Sequence, residues 1–431
     1  MIEILNSECF CVSLDPEALR RAIEADPAAR GLGRLIEERC PNLFAALPVF
    51  VSRQDVDAMA SIVGAVEEVV ALPAYRAEAL AGAAATALHD PGARGVFLGY
   101  DFHIGPQGPR LIEINTNAGG ALLNAVLGRA QRACCEDVAR LVSGPIPAER
   151  LERTFFDMFA AEWRAGGCPG LPARIAIVDD SPEQQYLYPE FLLFAQLFRR
   201  FGVDASVLAP EQLAFANGDL RDAGGRVDLV YNRLTDFALD DPAHAPIREA
   251  YLSGAAVVTP HPRAHALYAD KRNLAILTDE ARLRGWGAHE GIIEILLRGI
   301  PHTEIVSKAD AEGLWSRRRD LFFKPAAGHG SKAAYRGDKL TRRVWSEILD
   351  APYVAQELVP PGERQIAAGI ALKADVRNYV YAGEVQLLAA RLYQGQTTNM
   401  RTAGGGFAPV LTPPAFASPG RTRFALHAGQ T

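Results

Sequence analysis

One stretch narrows the folds open to this chain more than any other: GVFLGYDFH, a turn segment IGPQGP, then RLIEINTNAGG. Two alternating segments around a turn rich in glycine and proline make a β-hairpin. Strict alternation places Glu113 and Asn115 on one face of the second strand and Ile112 and Ile114 on the other. A loop symmetric about Gln107 sets Asp101 across from Glu113, with Cβ atoms roughly 5 Å apart, where two like charges repel. Something cationic should therefore sit between them. Two carboxylates and an amide offer only oxygen donors, which suits a hard ion such as magnesium that keeps positions for water and phosphate. Asp101, Glu113 and Asn115 are thus the expected metal ligands. A polar hairpin face turned to solvent is the alternative, and the weight shifts only with a second group of residues far downstream.

A chain of 431 residues is long enough for two or three domains. Its net charge of −6 supplies no global field to attract nucleic acid or an anionic membrane, so any anion site must be local. No apolar run approaches the roughly 20 residues that span a bilayer. Cys9, Cys11, Cys40, Cys134, Cys135 and Cys168 show no CxxC pairing, and the start MIEILNSECF lacks the basic and apolar regions of a signal peptide. The expectation is a cytoplasmic protein with free thiols.

Residues 1–95 read as mainly helical, with Ser52 and Asp55 at capping-box spacing ahead of a helix. Residues 96–170 hold the hairpin and an apolar helix, ALLNAVLGRAQRACCEDVARLV. From RIAIV through YPEFLLFAQLFRRFG, VDLVYNR, APIREAYLSG and AAVVTP the pattern alternates strand and helix, so residues 171–263 form a small parallel α/β domain. Ligands bind beyond the carboxyl ends of such strands, which puts Asp179, Asn232 and Arg233 in a crevice. Residues 264–411 follow, and 412–431 read as a mobile tail. His261 and His265 lack a third ligand for a metal site, and Trp286, Trp315 and Trp345 read as core or surface anchors.

In the third section Lys324 ends an apolar strand and precedes a loop with Gly328, Gly330, Ser331 and Lys332. A lysine beside glycine-exposed amides suits phosphate, although the order of a Walker A loop is absent and an ordinary surface turn stays open. The succession DKRNLAIL, GIPHTEIV, FFKPAAGHGSK, YVAQELVPPGER, DVRNYVYAGE, AARLY and TTNMRTAGGG resembles the nucleotide-binding half of ATP-grasp carboxylate–amine ligases, glutathione synthetases in particular. The hairpin looks like the magnesium-binding end of that fold, placed first instead of last, as in the eukaryotic-type glutathione synthetases. The resemblance implies an α/β ATP-grasp fold, circularly permuted, with an inserted small parallel α/β substrate domain.

The resemblance also implies ATP and Mg2+, a small-molecule carboxylate, and an amine joined to it through an acyl phosphate. Lys271 and Lys324 would hold phosphates, with Gly328, Gly330 and Ser331 in a lid. Gln356 and Glu357 would lie at the adenine hinge, and Glu363 would reach the ribose. Arg391, with Arg377 nearby, would stabilise the transferring phosphoryl group; a salt bridge from Arg391 to Asp375 is the alternative. Asn399 and the glycines after it would close over the acyl phosphate, and Arg233 would grip a substrate carboxylate. Two departures stand out: the glycine-rich loop carries no acidic metal ligand, and Asn117, Ala118 and Gly119 replace the serines that touch substrate, which puts glutathione itself in doubt as the product. An ATP-grasp small-molecule kinase and a non-catalytic nucleotide binder are the rival readings, and a homodimer stays open.

Overall fold

The computed structural model describes residues 1–134, 148–328, 333–399 and 401–413. Gly330, Ser331 and the part of the expected tail beyond residue 413 lie outside the described residues. The first quarter is mostly helical but contributes four strands: β1 (Val12–Leu14), β2 (Val49–Phe50), β3 (Leu98–Gly105) and β4 (Gly108–Asn115). A short β5 (Gln131–Ala133) then pairs antiparallel with β1. The helix expected over residues 121–142 instead spans Ala121–Gly128. Glycine at its end weakens helix continuation. The N–H groups of Arg129 and Ala130 reach back three residues, at 3.0 and 3.1 Å, before the chain turns into β5.

The alternating middle section folds as its pattern demands. β6 (Arg174–Val178), β7 (Asp204–Leu208), β11 (Leu229–Asn232) and β12 (Val257–Thr259) form a parallel sheet in the order β12-β11-β6-β7. Between β7 and β11 an antiparallel trio intervenes, β8 (Ala214–Ala216), β9 (Asp219–Asp222) and β10 (Gly225–Arg226). Next come β13 (Thr303–Ile305), β14 (Leu321–Pro325), β15 (Tyr335–Arg336) and β16 (Tyr353–Glu357), an antiparallel sheet backed by Phe323, Trp345 and Ile348.

The chain closes with β17 (Gly362–Ala367), β18 (Ile370–Tyr381), β19 (Glu384–Tyr393) and β20 (Gly406–Leu411). These last strands and the early hairpin build one seven-stranded sheet, in the order β2-β20-β19-β18-β3-β4 with β17 also on β18. Alternation gives the sheet two apolar faces, each covered by helices. One face, with Tyr100, Phe102, Leu111, Val376 and Leu392, packs on the helix Arg53–Val70. The Ser52 hydroxyl caps that helix by accepting from Asp55 N–H at 3.0 Å. The other face, with Phe97, Tyr379 and Ala389, packs on the helices Ala148–Ala165 and Tyr188–Arg200. No described helix is long and apolar enough to cross a membrane.

Candidate functional site

Two adjacent cavities open between these sheets, of about 380 and 260 Å³, and Lys271 and Gly328 line both. The hairpin supplies one wall of each: Glu113 lines the larger cavity and Asn115 the smaller. Asp101 does stand across from Glu113, but the route differs from a symmetric loop. The turn pairs Gly105 with Gly108, which by itself would put Ile112 opposite Asp101. An extra residue restores the register: Asp101 pairs with Glu113 and Phe102 with Leu111, leaving Ile112 as a bulge. The bulge breaks strict alternation, so Ile112 lines the larger cavity beside Glu113 while Ile114 stays in the core.

In the larger cavity Lys324 is buried, and its Nζ donates to Ile112 O at 2.7 Å and to Gln356 Oε1 at 2.8 Å. Both acceptors are neutral, so they position the ammonium without neutralising it. Burial pushes Lys324 down to about 8, against the pull of Glu113. Lys271 stands at the junction, 3.2 Å from Glu113 Oε1 and donating to Gly328 O at 3.2 Å. Leu358 to Pro361 give an apolar edge, and Glu363 and Lys373, paired across β17 and β18, stand at the rim. The Gln356 amide is spent between Lys324 and Thr303 Oγ1, so its side chain holds the lysine and is not free to read a base. Glu357 lines the cavity, with Oε2 accepting from His302 N–H at 3.3 Å.

The smaller cavity is walled by Asn115, Asn117, Asp179, Arg233, Lys271 and Arg377, with Phe237 and His265 stacked at 4.0 Å on one side. Arg233 and Asp179 come from the carboxyl ends of β11 and β6, the crevice that the alternating pattern points to. Asn117 Nδ2 donates to Leu234 O at 3.1 Å, and its Oδ1 is buried without a partner. Gly119 leaves room for Arg233, since a Cβ there would come within 2.8 Å of Nη2.

Several expected ligands are committed elsewhere. Asp101 is 1% exposed and takes Arg377 Nε and Nη2 at 2.6 and 2.7 Å and Arg391 Nη2 at 2.9 Å. Burial alone would raise its pKa, but the two guanidiniums hold it below the usual carboxylate value. Asn115 Nδ2 adds a further donor at 3.0 Å. Asp101 is therefore an anchor for arginines, and the cation that relieves its repulsion with Glu113 is a guanidinium. Arg391 forms the salt bridge to Asp375, at 2.7 Å, and lines neither cavity. Asn399 is exposed, accepts from Arg401 N–H at 2.9 Å, and also lies outside both linings. Its neighbour Thr398 does line the larger cavity and donates to Asp375 Oδ2 at 2.6 Å.

Some residues at the site carry little signal in the sequence. His103 lines the larger cavity with Nδ1 2.7 Å from Val359 O; as the i+2 neighbour of Asp101 it was open to detection by alternation. Glu190 was not: buried in the helix Tyr188–Arg200, it accepts from Gly120 and Leu122 N–H at 2.7 and 3.0 Å and so fixes the turn after the hairpin.

No protein-family model matches the sequence, and no curated protein does. Among solved structures, a glutathione synthetase-like effector from Globodera pallida in its apo form is similar over 92% of this chain and 98% of that one, with 10% identity and a TM-score of 0.55. A putative gamma-glutamylcysteine synthetase from Methylobacillus flagellatus is similar over 83% of this chain and 87% of that one, with 12% identity and a TM-score of 0.45. At such identities the likeness is one of fold. The α/β ATP-grasp architecture that the motif order implies is the one the chain adopts.

Proposed function

We propose that this chain, which has the α/β ATP-grasp fold and resembles the glutathione synthetase-like proteins of that fold, is an ATP-dependent ligase joining a carboxylate to an amine. The observation that carries the reading is the shared wall: a cavity with two cationic lysines and an apolar edge meets, at Lys271 and Gly328, a second cavity with an arginine on its wall. That layout places a nucleotide's terminal phosphate beside a second ligand's carboxylate. Phosphoryl transfer asks for positioning and charge neutralisation more than for covalent help. Lys324, fixed by Ile112 O and Gln356, and Lys271, fixed by Glu113 and Gly328 O, supply charge at set positions.

The donor set fits magnesium without Asp101. Glu113 presents a carboxylate to the larger cavity, and Asn115, whose Nδ2 faces Asp101, turns its Oδ1 elsewhere. Glu113 and Asn115 would hold the ion, which when bound screens phosphate charge. Arg233 would orient the carboxylate-bearing substrate, a carboxylate oxygen would attack the γ-phosphorus to release ADP, and the amine would then displace phosphate from the acyl carbon. The hairpin precedes the strands it joins by more than two hundred residues, which supports a circularly permuted order. The test is ADP release measured over a panel of carboxylates, with and without amines: the reading requires release that depends on a carboxylate, and release that depends on no carboxylate overturns it.

A further inference from the structure

Arg233 and Asp179 are 6% and 7% exposed and line the same cavity, yet among the described residues no ion pair joins them. They stand on neighbouring parallel strands, where Asn232 pairs with Val178 and Arg233 N–H donates to Val178 O at 2.8 Å. Burying one charge unpaired is costly, and burying two opposite charges side by side without joining them is unusual. Neither is satisfied by another side-chain charge. Arg233 Nη1 donates to the Tyr231 hydroxyl at 3.3 Å, its guanidinium lies over Phe191 and Tyr231, and Nε is buried with no partner. The Asp179 carboxylate accepts only the N–H of Asp180, at 2.9 Å, among its side-chain contacts.

The other charges on this wall are taken. Lys271 pairs with Glu113, Arg377 with Asp101, and Glu190, behind Arg233, is held by backbone N–H groups. The separation is also built in. Buried His244 bridges Asp180 at 3.0 Å and Asp236 at 2.8 Å, tying the loop after β6 to the loop after β11. Those two loops carry Asp179 on one side and Thr235 and Phe237 on the other, so Asp179 cannot swing across to Arg233. Burial raises Asp179 to about 7 despite the nearby guanidinium. A ligand cation would draw it back to the charged form.

The geometry points to a zwitterionic ligand in this cavity: Arg233 grips its carboxylate and Asp179 its ammonium, so that Asp179 selects amino acids, or the amino-acid end of a peptide, over acids lacking the amine. The inference rests on the ligase reading only for making that ligand a substrate, because binding is measurable without turnover. Calorimetric titration would compare three matched probe pairs: L-alanine with propionate, L-glutamate with glutarate, and L-phenylalanine with 3-phenylpropionate. The expected result is at least one pair in which the amino acid binds tenfold or more tightly than its partner. Asp179→Asn should abolish that preference while keeping the weaker affinity for the acid, and Arg233→Gln should weaken both members. ATP binding in each variant shows that the fold is intact. Equal binding within all three pairs by the unaltered protein, or an undiminished preference in Asp179→Asn, overturns the inference. An amino acid that binds with the expected preference but never supports ADP release would leave the zwitterion site standing and remove the ligase reading.

Discussion

Opposite charges meet in two very different ways in this molecule. Across β3, β18 and β19 they form a closed ladder: Arg377 pairs in register with Asp101, Arg391 pairs in register with Asp375, and Arg391 also reaches Asp101. Thr398 completes the ladder on Asp375. Around the cavities the same residue types are left partly unanswered, with Lys324 held by neutral oxygens and Arg233 and Asp179 facing one space without touching. The difference teaches that a charge within an apolar strand is structural when sheet register puts its opposite directly beside it. It becomes available to a ligand when the neighbouring strands offer only neutral groups.

Asp101 and Glu113, opposed across the hairpin, give the sharpest contrast. Asp101→Asn leaves two buried guanidiniums short of a partner and should destabilise the protein by about 3–5 kcal/mol, read from urea unfolding. Glu113→Gln should change stability by less than about 1 kcal/mol yet lower ATP turnover by roughly 10²–10³-fold, about 2.7–4 kcal/mol in the barrier. If the two variants behave alike, the division between ladder and cavity fails.

The pH dependence of nucleotide binding sharpens the same point. Lys324 loses its proton near pH 8 when the cavity is empty, and phosphate favours the charged form. ATP affinity should therefore be full below pH 8 and fall as pH rises above it, by at most about tenfold per unit. Lys324→Met should flatten that limb. The smallest effect lies far from both regions: Ser52→Ala removes a helix cap and should cost about 1 kcal/mol of stability, with turnover unchanged.

The sequence made the hairpin and the α/β alternation of residues 174–259 legible because both rest on local periodicity. Glu113 opposite Asp101 was legible too, although the turn alone would have missed it and the bulge at Ile112 corrected it. The antiparallel trio was readable in principle, since Asn217 and Gly218, with φ of 55° and 81°, form a two-residue turn between β8 and β9. What stayed hidden depends on partners distant in the chain. Arg364 is wholly buried and donates to the carbonyls of Asn6, Cys9 and Pro48, up to 358 residues away. Asp101 looked like a metal ligand for the same reason, because its guanidinium partner Arg377 lies 276 residues downstream.

The central claim is that the two cavities pass a phosphoryl group from nucleotide to carboxylate. It is tested most directly by supplying the active carboxylate with its oxygens labelled by ¹⁸O and following the label by mass spectrometry. Ligation through an acyl phosphate predicts one labelled oxygen in the inorganic phosphate for each product formed. Unlabelled phosphate, or label appearing in AMP, would contradict it.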